Sequence, residues 1–261
     1  GALLLIASTT RPTTAALLWP CGKWGSDMAK NVEKKIVLVI VEGETDAESL
    51  TVSLGEVFAN EEVAVEITRQ DITTEWGSSR SNIRSRVGAV VKNFLDGTHA
   101  VWRKDILRVI HIVDTDGAFV PNQAVIEDAT LAEFQENVYE ETGIRTWNKA
   151  GIERRNKVKA KALRDLVKMK VVLGNIPYHV YFMSCNLEHV LHDKMNCDIE
   201  EKETLALRFA QRYRQDVEGF KAFIAESAFS VKGTYADTWK TIDTDLESLK
   251  LHTNLGLAWE C

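Results

Sequence analysis

The sequence predicts an α/β fold: a mainly parallel sheet flanked by helices, with a helical extension toward the C-terminal end. Three observations lead there. Residues 36–41, Ile-Val-Leu-Val-Ile-Val, form an unbroken apolar run of strand length, the pattern of a strand covered on both faces. Apolar runs of this kind alternate with segments of helical periodicity, as βαβ units do. Two of the runs, "IVLVIVEGETD" and "ILRVIHIVDTDG", end in acids around a glycine, at the strand ends where such sheets build their sites.

Taken in order, the first strand is 36–41. Gly43 permits a tight turn, and Thr45 with Glu48 three residues on has the pattern of a capping box opening a helix over about 46–59. A second strand fits "VAVEITR" (63–69), followed by a polar loop at 73–81 and a helix over "SNIRSRVGAVVKNFLDG" (81–97), with Gly97 at its stop. The third strand is "ILRVIHIVDTDG" (106–117). Residues 118–177 read as a basic insertion of two or more helices. The fourth strand is "YHVYFMS" (178–184), and "CNLEHVLHD" opens a short helix.

The α/β domain then spans 28–195 and the helical extension 196–261. Residues 1–27 have no charged segment ahead of their apolar stretch, as a signal peptide would, and precede "MAKNVEKK"; they read as an appended leader.

With 261 residues, 45% hydrophobic and 27% charged, the chain can bury one substantial core. Its apolar runs fall short of a membrane span. Cys21, Cys185, Cys197 and Cys261 form no CxxC pair. That argues against a zinc ribbon or disulfide scaffold and predicts a reducing, cytoplasmic setting. The net charge of −6 hides an asymmetry: residues 145–170 hold ten Lys and Arg against Glu153 and Asp165. A basic stripe on an acidic body is the footprint of a polyanion partner, DNA or RNA, or else a solvated helix face. Arg154, Arg155, Lys157, Lys159 and Lys161 are the candidate phosphate contacts, and Trp147 is either a stacking platform or a core residue.

The acids carry the sharper signal. On a strand, Asp114 and Asp116 point to one face about 6 Å apart, and two bare carboxylates there repel by ~3 kcal/mol at an effective dielectric of 20. A divalent cation reverses that sign, and hard carboxylate oxygens suit Mg²⁺. Glu42 and Asp46 can add a third and fourth carboxylate. Each has a plainer reading: an Asx-turn onto Gly117 for the DxD pair, the helix dipole for Asp46. His111, inside an apolar strand, reads as a packed core histidine. His189 and His192 share a helix face beside Asp193, as surface residues or as metal ligands.

These two acidic stretches, "IVLVIVEGETDAESL" and "VIHIVDTDGAF", resemble the Toprim domain of topoisomerases, primases, small maturation ribonucleases and OLD-type nucleases. The resemblance covers about residues 34–120. "YFMSCNLEHVLHD" is similar to the Ser-Asn-x-x-Glu-x-x-Leu-Leu-His pattern of the OLD-like and RloB-like branch, with shifted spacing.

The resemblance implies Mg²⁺ or Mn²⁺ at Glu42, Asp114 and Asp116, with Asp46 and Glu188 completing a second site. It also implies phosphodiester cleavage in phage defence, with Glu42 as ligand or as general acid or base. A surface acid in a helix's first turn is the plainer reading of Glu188. No Walker A motif is present, so an ATPase would be a partner chain. A non-catalytic Toprim-like binding subunit is the competing expectation, and a phosphotransfer-type α/β domain a third.

Overall fold

The computed structural model describes residues 17–19, 35–58, 62–67, 72–74, 82–98 and 101–259. The chain runs through β1 (Leu17–Trp19), β2 (Ile36–Val41), α1 (Glu44–Val57), β3 (Glu62–Ile67), α2 (Ile83–Gly97) and β4 (Ile106–Asp114). An insertion follows, with β5 (Val125–Glu127), β6 (Asn137–Glu140), β7 (Gly143–Thr146) and α3 (Lys149–Val167). After it come β8 (Val171–Val172), β9 (Ile176–Met183), α4 (Leu187–His192), α5 (Ile199–Arg212), α6 (Val217–Glu226) and α7 (Tyr235–Ile242). The leader expected over 1–27 lies outside the described residues except at β1, and the polar loop expected at 73–81 lies outside them beyond Thr74.

The main sheet has the order β1-β3-β2-β4-β9-β8. Its four inner strands are parallel, and the short edge strands β1 and β8 run antiparallel to their neighbours. The mixed α/β architecture with a mainly parallel sheet is therefore as expected. Every residue of β2 is buried, and the run splits by alternation. Ile36, Leu38 and Ile40 pack with Val87, Val91 and Phe94 of α2 and Leu163 and Leu166 of α3. Val37, Val39 and Val41 pack with Leu50 and Leu54 of α1, Val190 of α4 and Phe220 of α6. Burial of each such side chain contributes about 1.5–3 kcal/mol. Both faces are covered, which is why β2 reads as continuously apolar.

His111, on β4, is fully buried and its Nδ1 lies 2.6 Å from the Tyr178 hydroxyl, the packed histidine that the sequence favoured.

Local boundaries differ at three places. Helix α1 begins at Glu44, with Gly43 as its N-cap; Gly43 N donates to Asp46 Oδ2 at 3.0 Å, so the cap is Gly43 with Asp46 and not Thr45 with Glu48. Strand β4 ends at Asp114, because Asp116 and Gly117 turn into positive φ, 46° and 65°. The insertion holds one long helix, α3, where two or more were expected. Its first part is a three-stranded sheet of order β5-β7-β6, closed by Val120, Val125, Ile144, Ile152 and Leu249. Strands of three or four residues are too short to show a period in sequence. Beyond residue 196 the extension is helical, as expected, through α5, α6 and α7.

Candidate acidic site at the strand switch point

Strand order sets the site. From β2 the chain crosses by α1 to β3 on one side, whereas β4 and then β9 lie on the other. The junction between the carboxyl ends of β2 and β4 is thus the topological switch point, where open α/β sheets commonly leave room for ligands. Glu42 follows β2 directly, and Asp114 is the last residue of β4.

Hydrogen bonds lock the acidic turn beyond β4. Thr115 N donates to Met183 O at 3.0 Å and Asp116 N to Cys185 O at 2.8 Å. Cys185 N donates to both Thr115 Oγ1 (2.8 Å) and Ser248 O (2.9 Å), while Thr115 Oγ1 donates to Ser248 O at 3.1 Å. Gly117 is required by this turn: a Cβ there would meet Ile144 Cδ1 at 2.8 Å as well as strain the backbone. Asp114 and Asp116 therefore do not alternate along a strand as expected, yet both remain at its end.

The five predicted acids gather electrostatically. Burial, then the charges of Asp46, Glu42, Asp116 and Glu188, push Asp114 well above the usual carboxylate range. Asp46 is pushed up to about 6, first by burial and then by Glu188, against the Gly43 N–H and Lys202. Glu188 is 4% exposed, held in α4 beneath an Asn186 cap that accepts from His189 N at 2.8 Å. It is therefore a buried acid, not a surface one.

Positive charge among them comes from two lysines. Lys159 Nζ sits 2.5 Å from Asp116 Oδ2 and 3.9 Å from Glu42 Oε2. Lys202 Nζ sits 3.0 Å from Glu188 Oε2. Burial alone would lower the Lys202 pKa, and Glu188 with Asp114 and Asp46 more than offsets it. Arg155 adds a guanidinium, donating from Nη2 to Asp116 O at 2.6 Å and from Nη1 to the Tyr139 hydroxyl at 2.8 Å. Burial and Asp116 push that phenol up to about 12, against Arg155.

The candidate phosphate contacts on α3 thus divide. Arg154, Lys157 and Lys161 are exposed, Lys161 pairing with Asp165 at 3.8 Å. Lys159, fully buried, and Arg155, half-buried, face the acids and leave the exposed stripe shorter than expected. Trp147 is half-buried. His189 is buried with Nδ1 3.3 Å from Ser184 O, and the His192 ring packs edge-on against Phe209, so the pair does not form a ligand face.

Lys202, Tyr139 and the cationic role of Lys159 were not legible in the sequence at first sight. One signal was present for Lys159. Ile152, Asn156, Lys159, Leu163 and Leu166 recur at helical spacing, which puts Lys159 on the buried stripe of α3. For Lys202 and Tyr139 there was none, since each meets the site only through tertiary packing.

Carboxylate oxygens are the donor type that a hard divalent cation takes, and here five carboxylates stand against two ammonium groups and one guanidinium, with burial and the neighbouring charges favouring the protonated form of Asp114. As they stand, no three Asp, Glu, His or Cys side chains among the described residues converge closely enough to ligate one ion. Comparison with protein-family models, with curated proteins and with solved structures finds no match.

Proposed function

We propose that this chain is a Mg²⁺- or Mn²⁺-dependent nuclease of the Toprim type, nearest the OLD-like and RloB-like branch, cleaving phosphodiester bonds of DNA or RNA in phage defence. One observation supports it above the others: acids from the end of β2, from α1, from the turn after β4 and from α4 all bear on Asp114 at the strand switch point.

Glu42, Asp114 and Asp116 would hold a first ion, with Asp46 and Glu188 toward a second. The ions would supply charge neutralisation at the attacking and leaving oxygens. The protein's own groups would do the rest. Lys159 and Arg155 hold Asp116 in place and would set positive charge beside a phosphate bound at the acids. Exposed Arg154, Lys157 and Lys161 on the same helix offer the strand a path along its backbone. No helix among the described residues is long and apolar enough to cross a membrane.

The test is cleavage of end-labelled DNA and RNA oligonucleotides with Mg²⁺ or Mn²⁺. Asp114→Ala should abolish cleavage, and EDTA should do the same. Full activity in either case would overturn the catalytic reading.

A second reading has its own support. Lys159 and Lys202 already pair with Asp116, Glu42 and Glu188, as in a Toprim-like subunit that binds nucleic acid or a partner without turnover. Saturable binding with no product across metals and substrates would select it.

A further inference from the structure

Beside the acids, one side chain of α3 holds donors with nothing to bond. Asn156 is 3% exposed, and its Nδ2 makes no hydrogen bond among the described residues. The amide's orientation is fixed by chemistry. Its Oδ1 accepts from Arg155 Nη2 at 2.8 Å and from Nε at 3.2 Å. A guanidinium only donates, so oxygen must face it and the amide nitrogen must point away. A buried amide left in this state is destabilising, and in a native protein it calls for a partner.

Its surroundings specify the partner. The Arg155 Nη2 that holds Asn156 also donates to Asp116 O at 2.6 Å, so the amide lies one guanidinium away from the acidic turn. Lys159, three residues on and on the same buried stripe, reaches Asp116 and Glu42. Two unpartnered N–H donors on the helix stripe that also carries Lys159, next to Arg155 in sequence, are complementary to an acceptor oxygen, and best to an anionic one. We infer that Asn156 is a positioning residue whose side-chain amide donates to an oxygen of a bound phosphoryl group, forming an oxyanion subsite on α3 beside the acidic turn. This rests on the phosphodiester reading for its biological use, but the subsite itself can be tested without cleavage.

The probe is inorganic phosphate, titrated into the full chain and followed by melting temperature. Phosphate should raise the melting temperature of the natural protein. In Asn156→Leu, which removes both donors, the apparent phosphate affinity should fall by at least about tenfold, as expected when a bond to a charged acceptor is removed. Without phosphate that variant also loses the acceptor of Arg155 Nε and Nη2, so its baseline melting temperature should fall, and the readout is the phosphate-induced shift above that baseline. Asn156→Asp keeps an oxygen toward Arg155 while removing the donors, and it decides the matter if the leucine variant does not fold.

A natural protein without a phosphate response, or variants that respond like it, would overturn the subsite and leave the amide to an internal water. The two readings separate cleanly. Metal-dependent cleavage with unchanged KM in Asn156→Leu sinks the subsite and spares the nuclease. A phosphate response abolished in Asn156→Leu, in a protein that neither binds Mn²⁺ nor cleaves, does the reverse.

Discussion

The ammonium of Lys159 lies 2.5 Å from Asp116 and 3.9 Å from Glu42, joining two acidic stretches more than seventy residues apart in sequence. Lys159 is fully buried, whereas Asp116 and Glu42 keep 27% and 13% of their side-chain surface exposed, so removing the lysine leaves two acids that water reaches only in part.

Lys159→Met should therefore destabilise the protein by about 1–3 kcal/mol, read as the midpoint of urea denaturation. Lys157→Ala and Lys161→Ala, at exposed positions of the same helix, should shift stability by no more than about 0.5 kcal/mol. A Lys159 variant that weakens nucleic-acid binding at unchanged stability would show that the lysine meets its ligand at the surface after all.

The acids set an unusual pH dependence. Asp46 titrates near 6 in the folded state against 3.8 ordinarily, and Asp114 is displaced in the same direction. The folded state thus holds protons that the unfolded state has released. Stability contributed by the protonated form is present at low pH and is lost as pH rises from about 4 through about 6. Burial lowers the pKa of His179, His189 and His192, which costs stability as pH falls below about 6.5 and opposes the acids over the same range. The acids are therefore read as a difference: Asp46→Asn, which can still accept from Gly43 N, should gain more melting temperature over the natural protein at about pH 7 than at about pH 5, and an equal gain at both would contradict the clustering.

Asp114→Asn should separate stability from function. Putting a neutral amide in place of a carboxyl that the fold keeps protonated should raise the melting temperature at about pH 7, while abolishing metal-dependent cleavage and the Mg²⁺-induced stabilisation. In the natural protein, Mg²⁺ should stabilise more at about pH 7 than at about pH 5, where protons compete for the ligands, and EDTA should remove the gain. A natural melting curve indifferent to Mg²⁺ and Mn²⁺ at both pH values would count against a metal site.

Gly117→Ala tests the turn that presents the DxD pair. At φ 65°, with Ile144 Cδ1 in the way at 2.8 Å, it should cost more than about 1 kcal/mol and lower cleavage without touching an acid. Calorimetry alongside the oligonucleotide assay checks both.

Charge reversal at Arg154, Lys157 and Lys161 together should weaken nucleic-acid binding. The slope of log affinity against log salt should shrink by roughly 0.7–0.9 for each phosphate no longer neutralised, with the melting temperature preserved. An unchanged slope would remove α3 from the interface.

The parallel sheet was legible because its cause is local. A strand covered on both faces must be apolar at every position, and Ile36–Val41 displays that directly. The acids were legible for a related reason: Glu42 and Asp114 stand where apolar runs stop, and α/β sheets open there. The strands β5, β6 and β7 were not, since three or four residues show no periodicity. The end of β4 at Asp114 was not either, because positive φ at Asp116 is imposed by the hydrogen bonds to Cys185 and Ser248 and not by Asp116 itself.

By itself, then, the sequence determined the α/β class, the inner strands and which carboxylates lie at their ends, all consequences of short-range patterning. Only the tertiary structure decided what neutralises them. Lys159 and Lys202 belong to helices whose place over the sheet follows from packing two apolar faces. Charge complementarity across such distances is a property of the assembled layers, and no single stretch of chain records it.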